Sequence, residues 1–301
     1  MANVTAQDVK ELRDMTGCGM MDCKRALVEA DGNRDEAVKI LREMGLAKSA
    51  KKAGRIAAEG VVKAKTKGNT GVIVEINCET DFCAKSDKFL EFVETIADTI
   101  LDNNVADVDA LAGCTVSGAS VPVSELLTEK IATIGENLKI RRFTKLDGVL
   151  VPYMHDGGRI GTLVKLATDK PDDAEVLACG KNVALQVTAL NPQFLDKDSV
   201  PADVLANEKE VQMKLVEQEG KPANVAEKIV EGRMRKFFEE VCLVDQKYFK
   251  DDSMTIGKYV ESVAKAQGAA LKVEAFVRYE RGEGIEKKED NFADEVASMI
   301  K

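Results

Sequence analysis

The chain has 301 residues, 45% hydrophobic, 32% charged and 5% aromatic with no Trp, which excludes a disordered or fibrous chain and points to two or three globular units with aliphatic cores. The formal charge of −9 and the pI of about 5.0 argue against a nucleic acid as the main partner and favour one met through protein contacts. No apolar run approaches the roughly 18 residues of a membrane span, the opening MANVTAQDVKELR has no leader or transit character, and seven cysteines, an odd number, read as reduced thiols of a cytoplasmic protein.

Residues 4–45 pattern as three short helices. Thr5 with Asp8 makes a capping box ahead of Val9 and Leu12. Gly17-Cys18-Gly19 breaks that helix. Cys23, Ala26, Leu27 and Ala30 share a face of the second. Asn33 caps the third, with Glu36 at N3 and Ala37, Leu41 and Met44 on one stripe. Residues 47–59 are basic and Ala-rich, with Lys48, Lys51, Lys52 and Arg55, and read as an exposed helix or hinge.

A hairpin follows. Val62, Ala64 and Thr66 alternate with lysines, Lys67-Gly68-Asn69-Thr70 turns the chain, and Val72, Val74 and Ile76 alternate on the return. A helix from about Ser86 carries Phe89, Val93, Ile96 and Ile100 on one face. Residues 103–122 read as loop, 123–133 as helix and 137–146 as strand. Gly158–Val164 then echoes Gly68–Val74, again as a hairpin with a helix after it (172–189), which suggests two related αβ subdomains. Pro201 and Pro222 suit the first position of two charged helices, 201–219 and 222–239, broken at Gly220. Such a hairpin either packs against another chain or stands solvated. A helix at 255–267, a strand at 270–280 and a helix at 289–300 complete the chain.

Catalytic signals are weak. His155 is the one histidine, beside a turn, so no His-based metal site or nucleophile triad is visible. Cys18/Cys23 and Cys78/Cys83 are C-x4-C pairs in separate candidate domains, and structural zinc wants further ligands; they read as buried structural thiols. Neither a phosphate-binding loop nor a dinucleotide fingerprint occurs. The expectation is a chain with no catalytic residue, no cofactor and no metal. Thr80-Asp81-Phe82 stands out, a strand-to-helix loop with an aromatic in the polar stretch NCETDFCAKSD. Phe82 either anchors the loop inward or projects as a wedge beside a carboxylate.

LRDMTGCGMMDCKRAL (12–27) and EINCETDFCAK (75–85) resemble the two signature stretches of the bacterial elongation factor Ts family. KIATIGENLKIRR (130–142), YMHDGGRIG (153–161), GKPANVAEKIVEGRMRKF (220–237) and GEGIEK (282–287) are similar to it as well. The resemblance implies an α+β fold: a three-helix, ubiquitin-associated-type (UBA-like) domain with its basic linker at 1–54, two related core subdomains with antiparallel strands at 55–147 and 148–280, a protruding helical hairpin inserted at 201–239, and a C-terminal helical module at 281–301. It implies a guanine nucleotide exchange factor, not an enzyme, whose partner is the GTPase elongation factor Tu, with no direct nucleic acid or membrane contact. It implies that Thr80, Asp81, Phe82 and Cys83 form the loop that dislocates the partner's Mg²⁺. It also implies that Arg13, Met20, Met21, Lys24, Ile134, Gly135 and His155 are partner contacts, and that the hairpin is a dimerisation module in some members. Cys83 stands where the family usually has a small aliphatic residue. The rival reading is a passive adaptor that tethers partners without exchanging nucleotide.

Overall fold

The computed structural model describes residues 4–286, apart from the side chains of 223 and 224. The helix expected at 289–300 lies outside the described residues. The chain forms two compact units: the first takes the chain up to Lys63, Val74–Phe143 and the segment from Glu280, and the second takes Ala64–Ile73 and Thr144–Tyr279.

In the first unit, α1 (Ala6–Thr16), α2 (Met20–Glu29) and α3 (Arg34–Lys52) make a small helical core of Val9, Leu12, Cys23, Ala26, Leu27, Ala37 and Leu41. Both sides of the Thr5–Asp8 capping box are present, and the Asn33 side chain accepts from Glu36 N. α3 runs on to Lys52, so half of the basic stretch is helix, as its Ala and Lys content favours. β1 (Glu59–Lys67) and β2 (Thr70–Cys78) form the expected hairpin, whose turn end, Ala64–Ile73, is assigned to the second unit. A short α4 (Asp81–Ala84) leads to α5 (Asp87–Asp102), which buries Phe89, Phe92, Val93, Ile96 and Ile100. The 103–122 stretch is not all loop. It holds α6 (Val108–Ala112), capped by Asp107 and pinned by the buried Leu111. α7 (Val123–Ile134) and β3 (Lys139–Asp147) follow. Gly45 lets α3 lie close to α7: a Cβ there would sit 3.5 Å from Ala132 Cβ.

In the second unit, β4 (Val149–His155) pairs antiparallel with β5 (Ile160–Thr168), Val151 opposite Val164 and His155 opposite Ile160. α8 (Ala174–Leu190) buries Val176, Cys179, Val183 and Val187. The hairpin is α9 (Ala202–Gln218) and α10 (Ala223–Val241); Pro201 and Pro222 occupy the N-cap positions, one residue earlier than expected, since each has extended backbone. Two strands escaped the sequence reading, β6 (Lys247–Tyr248) and β7 (Asp251–Thr255), because they are short and polar. α11 (Ile256–Gln267) and β8 (Leu271–Glu280) close the unit.

The two larger sheets have orders β1-β2-β3 and β4-β5-β8. In each, a later strand lies beside the second strand of a hairpin, and that hairpin is followed by a helix. This shared plan is the structural content of the 90-residue echo between Gly68 and Gly158. The fold is α+β. Among the described residues, no helix is long and apolar enough to cross a membrane.

Candidate partner-binding site

β2 ends at Cys78, and the chain turns through Glu79 and Thr80 into α4. Thr80 is the N-cap. Its backbone is extended, and its hydroxyl accepts from Cys83 N at 3.1 Å. The same hydroxyl donates to Glu136 Oε1 at 2.6 Å. Glu136 Oε2 accepts from the backbone N–H of Glu79 at 2.9 Å and of Thr80 at 3.0 Å. One carboxylate thus takes three hydrogen bonds from two successive residues. The contact is mutual: Asn137 N donates to Glu79 Oε1 at 2.6 Å, and Arg55 Nη1 stands 3.4 Å from the same oxygen. Asn137 Nδ2 in turn donates to Arg55 O at 2.8 Å.

Glu136 is placed by the end of α7. Ile134 is its last residue, and Gly135 closes it with φ 93°, a left-handed conformation that a side chain would strain. Ile134 and Gly135 are therefore covalently joined to the carboxylate that holds the Thr80 loop. Gly17, which closes α1, lies near as well: a Cβ on it would be 3.9 Å from Thr133 Cγ2.

Within α4 the inward positions are Cys83 and Ala84, both buried. The outward position is Phe82, 83% exposed. Of the two readings left open by the sequence, the inward anchor is overturned: Cys83 and Ala84 already fill the inner side of a helix only one turn long. Asp81 is exposed at the start of α4, and Lys85 Nζ lies 2.7 Å from its carboxylate. The hydrogen bond from Lys85 holds the Asp81 carboxyl below the usual range, so it is charged at neutral pH.

The first-unit residues Arg13, Met20, Met21 and Lys24 are all exposed, Met20 at 54% and Met21 at 69%. They lie on α1 and at the start of α2, flanking the turn that approaches Thr133. The first unit therefore strings the α1–α2 turn, Ile134-Gly135, Glu136 and the Asp81-Phe82 loop along one connected path. Met15, on α1, is 63% exposed as well. Glu136 had no signal beyond its place in the family-like stretch 130–142, since a surface glutamate after a helix is ordinary. His155 is in the second unit, exposed at the end of β4, with Nδ1 3.2 Å from the Tyr153 hydroxyl. Asp156 and Gly157 follow it with φ 49° and 62°, so the turn beside it is tightly specified.

A sequence profile of the family described as Elongation factor TS matches residues 79–283, more than half of the chain. The Elongation factor Ts of Syntrophotalea carbinolica is 48% identical over 301 residues, covering 99% of each chain. That of Clostridioides difficile is 48% identical over 305 residues and covers 100% of both. That of Clostridium kluyveri is 49% identical over 304 residues, covering 99% of each. With relatives this similar along the whole length, the chain belongs to the elongation factor Ts family.

Proposed function

We propose that this chain is a guanine nucleotide exchange factor of translation elongation that binds elongation factor Tu loaded with GDP, releases the GDP and holds the empty form until GTP binds. The observation that carries this is Phe82, 83% exposed on a backbone fixed by Glu136 and by its own cap. An exposed aromatic on a rigid one-turn helix, beside a charged carboxylate, is shaped to enter another protein.

GTPases hold nucleotide through Mg²⁺ and the backbone N–H groups of their phosphate loop. Mg²⁺ demands near-ideal octahedral geometry, so a small shift of the elements around it is costly. Phe82 supplies the wedge and Asp81 a charge near the displaced ion. No bond-making chemistry is required of the chain. It needs only to bind the empty partner more tightly than the loaded one. Weakening nucleotide by about 10⁴ requires roughly 5.5 kcal/mol of differential contact. Burying one Phe yields about 1.5–3 kcal/mol. Further patches must therefore contribute, and Arg13, Met20, Met21, Lys24, Ile134, Gly135 and His155 are the ones proposed. The α9–α10 hairpin, with Val211 and Leu215 exposed, is the segment proposed for self-association. The role places the chain in the cytoplasm.

The test is the rate of GDP release from elongation factor Tu, followed with a fluorescent nucleotide, for wild type and for the double variant Asp81→Ala, Phe82→Ala. The expected result is a fall of tenfold or more at saturating factor, consistent with about 1.4 kcal/mol per decade, with unchanged melting. Equal acceleration by the variant sinks the wedge. A passive adaptor would instead bind the loaded and the empty partner equally.

A further inference from the structure

We propose that Cys78, Cys83 and Glu136 form a binding site for a thiophilic divalent cation of the zinc class, directly beneath the Asp81-Phe82 loop. The two sulfurs and a carboxylate oxygen all lie within 4.8 Å of one another. They come from three segments of the first unit: the end of β2, the inner face of α4, and the turn between α7 and β3. Both cysteines are buried, while Glu136 is partly exposed and leaves a side for entry.

The geometry is close to that of a bound ion. Tetrahedral zinc, with Zn–S near 2.3 Å and Zn–O near 2.1 Å, spaces two sulfurs about 3.8 Å apart and a sulfur and an oxygen about 3.6 Å apart. Closing donors that are within 4.8 Å to those spacings takes a movement of about an ångström. The carboxylate is already oriented. Glu79 N, Thr80 N and the Thr80 hydroxyl fix it from outside, the role that outer-shell partners play around metal ligands. Oε1 accepts only from the Thr80 hydroxyl in that set, which leaves it a lone pair for an ion.

As it stands, Cys78 Sγ donates to Thr80 O at 3.2 Å, a bond that an ion would replace. Gathering two thiols and a carboxylate in one buried spot disfavours the thiolates unless a positive ion joins them. On binding, both thiols lose their protons to solvent, and the set carries three negative charges against two positive. Two sulfur donors select the zinc class over Mg²⁺ and Ca²⁺, which take oxygen ligands. Three protein ligands leave a fourth position for water. An ion here ties β2, α4 and the α7–β3 turn together under Phe82.

The experiment uses the full chain, reduced with a phosphine and stripped with a chelator. Zn²⁺ is titrated against a chromophoric chelator, and Co²⁺ serves as a spectroscopic probe of sulfur ligation. We expect one equivalent of zinc bound with submicromolar affinity, and a thiolate-to-cobalt charge-transfer band. Cys83→Val, which keeps an apolar side chain of similar size, is expected to weaken binding at least about 100-fold through loss of a thiolate ligand. Glu136→Gln is expected to weaken it less, and Cys18→Ser, which alters a thiol elsewhere, to leave it unchanged. Should Cys83→Val fail to melt cooperatively, Cys78→Ser gives the same reading. Retention of zinc by Cys83→Val or Cys78→Ser as tight as in wild type overturns the site. So does a cobalt spectrum without the sulfur band, or a reduced chain that binds no zinc and instead forms a Cys78–Cys83 disulfide once peroxide is added.

Discussion

Glu75 is a charge with no exposed surface in the middle of a sheet. Its Oε1 accepts from Arg141 Nη1 at 2.9 Å, Asn77 Nδ2 at 3.1 Å and Gly282 N at 2.7 Å, and its Oε2 accepts from Arg142 Nε at 2.7 Å. Gly282 reaches it because a Cβ there, at φ 68°, would lie 2.3 Å from Ala58 O. Removing one member of such a set leaves the rest unpaired, at a cost of about 3–5 kcal/mol for buried ion pairs; with Arg141 and Arg142 partly exposed, the lower figure applies. Glu75→Ala is therefore expected to lower the urea midpoint by the equivalent of about 3 kcal/mol at an unchanged m value; a loss under about 1 kcal/mol would show the set to be dispensable. Alternation along β2 puts Glu75 and Asn77 with Ile73 on the face opposite Val72, Val74 and Ile76, and every residue from Gly71 to Cys78 is buried. Period-two patterning reports only which residues share a face; what covers the polar face here comes from Arg141, Arg142 and Gly282, far along the chain. The Asp81-Phe82 loop stood out for the opposite reason, since an aromatic among polar residues is a local signal, but that signal left open whether the ring points inward or outward.

At the scale of elements, most long periodic helices and the two hairpins were legible within a residue or two, α3 ran seven residues past the expected unit, from 45 to Lys52, into the basic stretch, and short pieces were not legible. α6, β6 and β7 are too brief to carry a period, and tertiary contacts such as that of Leu111 fix them. The α9–α10 hairpin has a small core of its own, Val216, Ala226 and Val230, distinct from the cluster around Leu166, Val183 and Leu243. Its ends meet: Phe194 N donates to Val241 O at 3.0 Å, and Leu243 N to Phe194 O at 2.9 Å. Replacing 197–240 by a short Gly-Ser linker is therefore expected to leave the second unit folded, with a cooperative melt and a loss of far-UV helix signal matching the excised helices. A molten product without a cooperative transition would show that the hairpin supports the unit's core.

For the whole molecule, the exchange reading makes a reciprocal demand. If the factor weakens GDP binding by some ratio, GDP weakens the factor by the same ratio. Titrating the factor against its GTPase at increasing GDP is expected to raise the apparent Kd until it plateaus at that ratio; a Kd indifferent to GDP would select the tether instead. The clasp at Glu136 bears on how such affinity is reached. A solvent-facing ring on a slack loop would surrender much freedom when it docks. Here two backbone amides and a hydroxyl are already moored to one carboxylate, so on the exchange reading Phe82 would meet its target with little disorder left to lose, and burying its ring would translate almost undiminished into grip.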